Sequence, residues 1–332
     1  MNAALRILIV KTSSMGDVVH ALPIVSDIAR ARPAAHIDWA VEEGFAAIPE
    51  LHPRVACVVP IALRRWRARP FAPTTWRELR AAKARLRAAH YDLVIDCQGL
   101  LKSAWVASWT RSRVVGPDGP SARERWAAYG YARRVAVPTT MHAIERNRHL
   151  AGTALDYVVR GKSEFGARAP ALVAPELVDI VAAGPIAVLL TNASRASKLW
   201  PAPHWRAVEG ALAARGLRSV LVWGSAGEES ATRERAHGMR QARVIARATL
   251  SQLAALLARA RIVVGLDTGL THLAAALGVA TVGIFCDYDP RLVGVTGDGR
   301  CASIGGALGG PGSDEAIATI AAIVSAVDAG RG

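Results

Sequence analysis

Leu5-Arg-Ile-Leu-Ile-Val10-Lys-Thr-Ser-Ser-Met-Gly-Asp17-Val-Val-His-Ala-Leu22-Pro-Ile-Val25-Ser-Asp-Ile28 is the stretch on which the fold turns. Leu5–Val10 is a short, nearly continuous apolar run, as a strand covered on both faces requires. Small polar residues from Thr12 to Asp17 interrupt it. Val18, Leu22, Val25 and Ile28 then recur at helical spacing, which predicts a helix over 18–31 that stops before Pro33. Strand, polar loop and helix make the first half of a βα unit, and the chain repeats it. Ile37–Val41, Val55–Ile61, Leu93–Asp96 and Val114–Gly116 predict further strands, with helices over 75–89 and 100–109. The series restarts at Ile186–Leu190. Strands at Ser219–Trp223, Val244–Ile245, Ile262–Gly265 and Thr281–Phe285 alternate there with helices over 205–215, 228–240, 250–258 and 271–276. A helix at Glu315–Val327 closes the chain. Such alternation implies an α/β protein with a parallel, doubly wound sheet in each half.

The chain has 332 residues, enough for two domains that each bury a core. Prolines cluster over Ala169–Pro185, so the expected division is 1–172 and 173–332, with the active site in a cleft outside the strand C-termini. Hydrophobic residues reach 52% and aromatic residues only 5%, a profile of helices packed on parallel strands rather than of a disordered chain. Cys57, Cys97, Cys286 and Cys301 show no metal-ligand spacing, so neither a structural zinc site nor disulfide staples are expected, and a reducing cytoplasm suits them. The apolar run at Ile7–Val10 is too short for a signal segment. The apolar stretch around Ala169–Leu190 carries Glu176, Asp179 and Pro185, which argues against a bilayer span, and a soluble protein is expected.

The formal charge is +14, and between Ile61 and Leu150 eighteen Lys and Arg face six Asp and Glu, a local net of +12. So one-sided a field suits a polyanion: nucleic acid, phosphorylated lipid or an anionic membrane surface. Trp66, Trp76, Trp105, Trp109 and Trp126 lie in this region, but most stand at helix-core spacings and no nucleic-acid motif accompanies them, so no nucleic-acid partner is expected. Arg64-Arg-Trp-Arg67 reads as exposed, its Trp among arginines suiting a membrane interface.

Four loops follow predicted strands and could carry chemistry. Lys11–Asp17 offers a glycine and a carboxylate at a helix start; Asp17 there is either a capping or first-turn residue or a catalytic one. The loop matches neither a P-loop nor a dinucleotide fingerprint. Gly265-Leu-Asp-Thr-Gly-Leu-Thr-His272 would leave backbone N–H groups at a helix N-terminus, a pyrophosphate site or a simple cap, with His272 either packed or functional. Thr191-Asn-Ala-Ser194-Arg-Ala-Ser-Lys198 can hold phosphate through Lys198, or be a solvated turn. Trp223-Gly-Ser-Ala-Gly-Glu228 places an acid where nucleotide folds often bind ribose, or merely starts a helix.

Together with Asp38-Trp-Ala-Val-Glu-Glu-Gly-Phe45, Arg64–Arg67, Asp96-Cys-Gln-Gly-Leu-Leu-Lys-Ser103, Ser121-Ala-Arg-Glu124, His142-Ala-Ile-Glu-Arg146 and Lys198-Leu-Trp-Pro201, these segments resemble, in order and over nearly the whole chain, the lipopolysaccharide heptosyltransferases of glycosyltransferase family 9. The opening segment resembles the branch that adds the first heptose. The resemblance implies a GT-B fold of two Rossmann-like domains facing a central cleft. It implies inverting transfer of L-glycero-D-manno-heptose from its ADP-activated form to the first Kdo of Kdo₂-lipid A, by an enzyme docked on the inner face of the inner membrane. Asp17 would be the general base. Lys198 would bind the ADP phosphates and assist departure of ADP. Ser194, Glu228, Asp267, Thr268, Gly269, Leu270 and His272 would complete the donor site. Ser14, Gly16, Arg64, Arg65, Arg67, Gln98 and Arg123 would serve the acceptor. No cofactor or obligatory metal is implied. Leu199, Ala196-Ser197 and Phe285–Pro290 depart from the family pattern, all near the expected adenosine contacts. A second-heptose transferase or a nucleotide-sugar epimerase of the same fold is the alternative.

Overall fold

The opening apolar run becomes strand β1 (Arg6–Val10), buried from Ile7 onward. In the computed structural model, which describes residues 4–297, 299–307 and 309–330, β1 is central in a six-stranded sheet. Its companions are β2 (His36–Glu42), β3 (Val55–Ile61), β4 (Leu93–Asp96), β5 (Val114–Pro117) and β6 (Arg133–Val135), in the order β3-β2-β1-β4-β5-β6. Every ladder is parallel, with Ile9 opposite Trp39 and Val10 opposite Asp96.

The chain divides into two units between Ala167 and Arg168. The second unit repeats the topology with β7 (Ile186–Leu190), β8 (Arg218–Leu221), β9 (Ala242–Val244), β10 (Ile262–Leu266), β11 (Thr281–Phe285) and β12 (Cys301–Gly305). Its order, β12-β11-β10-β7-β8-β9, is the first sheet's order again, and all its ladders are parallel. Each unit therefore has its own point where the strand order reverses, between β1 and β4 and between β7 and β10. Ligands of such sheets bind outside the strand C-termini at that point.

The helix expected over 18–31 is two helices, Met15–Val19 and Leu22–Ala31. Pro23 has no N–H to continue the first, so the chain turns at His20-Ala21 and restarts with proline in the first turn. The proline-rich segment 169–185 holds a helix of its own, Pro175–Ala182. Strands β6 and β12 and the helix Ala143–Leu155 escaped the sequence reading; the two strands are edges, and their residues alternate weakly. Among the described residues no helix is long and apolar enough to cross a membrane.

Leu8, Val10, Ala40, Val94 and Val106 pack with Trp109 and Tyr131 in the first core. Trp205 and Trp200 pack with Leu189, Val264 and Ile284 in the second. The first unit is further locked by a buried two-pronged pair: Arg148 Nε and Nη2 donate to Asp27 Oδ2 and Oδ1 at 2.7 and 3.2 Å.

Of the five tryptophans in the basic region, Trp66 and Trp109 are buried, whereas Trp76, Trp105 and Trp126 are about half exposed, contrary to the core placement expected from spacing. Trp66 is also no interface residue. Its indole N–H donates to Glu78 Oε2 at 2.8 Å, while Arg64, Arg65 and Arg67 around it are exposed.

Candidate active site

Asp17 stands in the first turn of the Met15–Val19 helix, directly beyond the C-terminal end of β1. Its Oδ2 accepts hydrogen bonds from Ser14 N and Ser14 Oγ, both at 2.9 Å. Its Oδ1 accepts from Arg123 Nη2 at 2.5 Å. Lys11, the last residue before the loop, is fully buried alongside and donates to Cys97 O at 2.6 Å. Burial by itself would raise the Asp17 carboxyl, but Lys11, then Arg123, then the two Ser14 donors outweigh it and hold the group at about 2. Lys11 moves the other way: burial lowers it, against the opposing pull of Asp17. Asp17 is thus a capping residue, as its spacing allowed, and also a carboxylate kept ionised.

The reversal point brings the end of β4 to the same place. Gln98 Oε1 accepts from Thr12 N and Ser13 N at 3.0 and 3.1 Å, fixing the loop that carries Gly16 and Asp17. Gln98 Nε2 is buried with no protein partner. The turn after β4 is shaped by Asp96, whose Oδ1 accepts from Gln98 N and whose Oδ2 accepts from Tyr131 Oη. Gly99 has φ +66°, and a Cβ there would meet Pro117, Ala122 and Arg123 at 3.0–3.3 Å. Glu124 ties the Arg123 loop to this turn: its N donates to Gly99 O, and its Oε2 accepts from Leu101 N. Arg123 is therefore aimed at Asp17 from 106 residues away. Lys11, Asp17, Gln98, Ser121, Arg123 and Arg146 line one small pocket.

Arg64, Arg65 and Arg67 lie on the short helix Leu63–Ala68 and differ in circumstance. Arg65 is committed to carboxylates, donating to Glu43 Oε1 and Oε2 at 3.0 and 2.9 Å and to Glu78 Oε2 at 2.7 Å. Arg64, over the Phe45 ring, and Arg67 line a separate groove.

In the second unit the reversal point joins the loop after β7 to the loop after β10. Lys198 Nζ donates to Asp267 Oδ2 and, at 3.0 Å, to Asp267 O. His272 Nε2 lies 3.2 Å from Asp267 Oδ1. Burial would raise the Asp267 carboxyl, but His272 and Lys198 bring it down to about 2. His272 is 3% exposed, so it is both packed and engaged. The helix Gly269–Ala276 starts here with Thr268 as its N-cap, making no side-chain cap bond. The N–H groups of Gly269 and Leu270 have no acceptor within the helix. Thr271 Oγ1, donating to Leu266 O at 2.6 Å, fixes the turn. A lysine ammonium beside unsatisfied helix-start N–H groups is a phosphate-binding arrangement.

Glu228 sits beyond β8 as the third residue of the helix Ala226–Ala236, and its Oε2 accepts from Gly224 N and Ser225 N at 2.7 and 3.1 Å. Ser194 is exposed in the turn before Lys198. Asp287, after β11, accepts from Ser197 Oγ at 2.6 Å and pairs with Arg195 at 3.2 Å. Lys11, Arg146 and Asp287 were not singled out from the sequence. Lys11 read as the polar end of a strand, and Arg146 was only the last letter of a motif. Among the described residues no group of three His, Cys, Asp or Glu is placed to hold a metal ion.

The profile of glycosyltransferase family 9 (heptosyltransferase) matches residues 79–303. This chain belongs to that family. It is 43% identical to lipopolysaccharide heptosyltransferase 1 of Pseudomonas aeruginosa over 88% of this chain and 82% of the relative. The solved structure of Escherichia coli heptosyltransferase WaaC with ADP superposes with a TM-score of 0.84 at 36% identity, covering 95% of this chain and 99% of that one. WaaC with ADP-2-deoxy-2-fluoro heptose gives 0.80 at 35% identity with the same coverage. The paired 3-2-1-4-5-6 sheets are thus those of a GT-B glycosyltransferase, as the sequence led one to expect.

Proposed function

We propose that this glycosyltransferase moves L-glycero-D-manno-heptose from its ADP-activated form to the first Kdo of Kdo₂-lipid A, with Asp17 as general base. The observation that carries this reading is the setting of Asp17: an ionised carboxylate at the reversal point of the first sheet, ringed by Lys11, Gln98, Arg123 and Arg146. The cations around it suit an acceptor that brings its own carboxylates and phosphates. The acceptor hydroxyl oxygen attacks the anomeric carbon, the bond from that carbon to the β-phosphate oxygen breaks, ADP leaves, and the hydroxyl proton passes to Asp17. In the resting geometry Arg123 occupies Oδ1. An anionic acceptor that draws Arg123 toward itself frees that oxygen and strengthens the base.

In the second unit Lys198 and the N–H groups of Gly269 and Leu270 face the diphosphate and stabilise the charge that gathers on it as the glycosidic bond breaks. Asp267 accepts from heptose hydroxyls while holding Lys198 in place, and Glu228 with Ser194 lies on the nucleoside side. The relatives named for lipopolysaccharide heptose transfer, and the WaaC structures with ADP and an ADP-heptose analogue, support this donor. The net +12 of Ile61–Leu150 suits residence on an anionic inner-membrane face.

The test is ADP release from ADP-heptose with and without Kdo₂-lipid A, for the wild type and for Asp17→Ala. Acceptor-dependent release that is lost in a folded mutant is expected. Release only with an already heptosylated acceptor would move the enzyme one step along core assembly, and none with either acceptor would refute the assignment.

A further inference from the structure

The first unit has a second concavity, lined by Glu42, Leu63, Arg64, Trp66, Arg67, Pro70, Trp76, Leu79, Lys102 and Trp105, enclosing about 1310 Å³ with its open mouth. Its polar atoms are largely turned to internal partners. Trp66 N–H goes to Glu78, Thr75 Oγ1 to Arg69 O, and Glu42 Oε1 accepts from Arg64 N. The faces left toward the groove are aliphatic and aromatic. Trp76 and Trp105 are 52% and 48% exposed, large apolar side chains left half uncovered among the described residues, and Trp105 is braced edge-on against Trp109 at 4.8 Å. Arg64, Arg67 and Lys102 add three cations to this lining, against the one carboxylate of Glu42. Lys102 joins the groove to the catalytic loop, since its Nζ donates at 2.9 Å to the Oγ of Ser13, four residues before Asp17. An apolar slot with a basic rim beside the base fits a molecule that is anionic at its reacting end and hydrocarbon beyond it.

We infer that this groove holds an acyl chain of the glycolipid acceptor, with Arg64, Arg67 and Lys102 on its phosphorylated or carboxylated head. The inference rests on the proposed acceptor and adds to it the site where the lipid part is recognised. Burying one methylene changes affinity about fourfold, the equivalent of ~0.8 kcal/mol. Two methylenes in the slot therefore suffice for a tenfold preference over an acceptor without acyl chains.

The experiment compares Kdo₂-lipid A with its fully deacylated form, in the wild type, in Trp76→Ala/Trp105→Ala, and in Leu79→Trp, which fills the slot instead of opening it. Acceptor KM is read from ADP release, and binding is read without turnover from quenching of tryptophan fluorescence by acyl chains carrying bromine. Expected are a KM at least about tenfold lower for the acylated acceptor and strong quenching in the wild type. Both should collapse in the variants, with kcat and the KM for donor and for deacylated acceptor held. Equal KM values for the two acceptors, absent quenching, or a preference that survives both variants would overturn the inference. So would variants that lose binding to acceptor-free phosphatidylglycerol vesicles while keeping the acyl preference, because the tryptophans would then serve the bilayer. Failure of the functional assignment reads differently: no ADP release with any acceptor, while quenching still reports on the groove.

Discussion

Asp17→Asn separates the structural task of that carboxylate from the catalytic one proposed for it. Its folded value of about 2 against an ordinary 3.8 makes it worth on the order of 2–3 kcal/mol to the fold at neutral pH. The side chain is only 13% exposed, so solvent screening trims this little. The sign follows from the depressed value. The stabilisation is complete above the unfolded value and disappears as pH falls through about 2, so the mutant's deficit should be full at pH 7 and shrink below pH 4. For a unit of this size the deficit is about 5–10 °C in Tm. Lys11, fully buried, loses its strongest opposing charge in the mutant, which adds to the loss. On activity, removing a positioned base costs about 10²–10⁴-fold in kcat. Thermal melts from pH 7 to pH 3 and ADP release on the same preparations read both. A folded mutant with kcat within tenfold of wild type would refute the base. A Tm deficit unchanged down to pH 3 would refute the electrostatic account.

Lys198→Ala should weaken ADP binding and lower kcat/KM by about 10–150-fold, the worth of a charge-assisted hydrogen bond, as calorimetry with ADP and initial rates would read. Arg123→Gln removes a cation from Asp17 Oδ1, so the acid limb of the kcat/KM profile, which reports the free enzyme, should move to higher pH while the KM for acceptor rises; a rate profile from pH 3 to 8 decides it. Arg148→Met leaves Asp27 buried without its two-pronged partner and should cost about 3–5 kcal/mol in urea unfolding, with little change in kcat for the fraction that remains folded. Heptose transfer should continue undiminished in excess EDTA, since the charge on the departing diphosphate is assigned to Lys198 and the helix start; activity abolished by EDTA and restored by a divalent cation would contradict that assignment.

The parts of the site that a short stretch of chain can specify were legible. Thr12–Asp17 and Asp267–Leu270 each follow a buried apolar run and precede a helix, so both could be placed at strand ends by counting residues. Once the loops were placed, the resemblance of their letters supplied candidate roles. Gln98 and Arg123 came only from that resemblance, because nothing in their own neighbourhoods marks them. Arg65 shows the limit of composition. It belongs to the basic run, yet Glu43 and Glu78 engage it, and neither is a helical neighbour. Trp66 and Trp105 likewise read alike in sequence, but one is buried with a satisfied N–H and the other is half exposed in a groove wall.

By itself, then, the sequence determined the alternation of strand and helix, the doubling of the α/β pattern and the residues available in each strand-end loop. These follow from periodicity and capping, which act over a few residues. Only the tertiary structure decided that β4 lies beside β1 and β10 beside β7. That adjacency brings Gln98 to Thr12 across 86 positions and Asp267 to Lys198 across 69, and it buries Lys11 against Asp17. Charge separation in the chain says nothing about distance in the fold; strand order does, and strand order is set by how the whole apolar surface is buried at once.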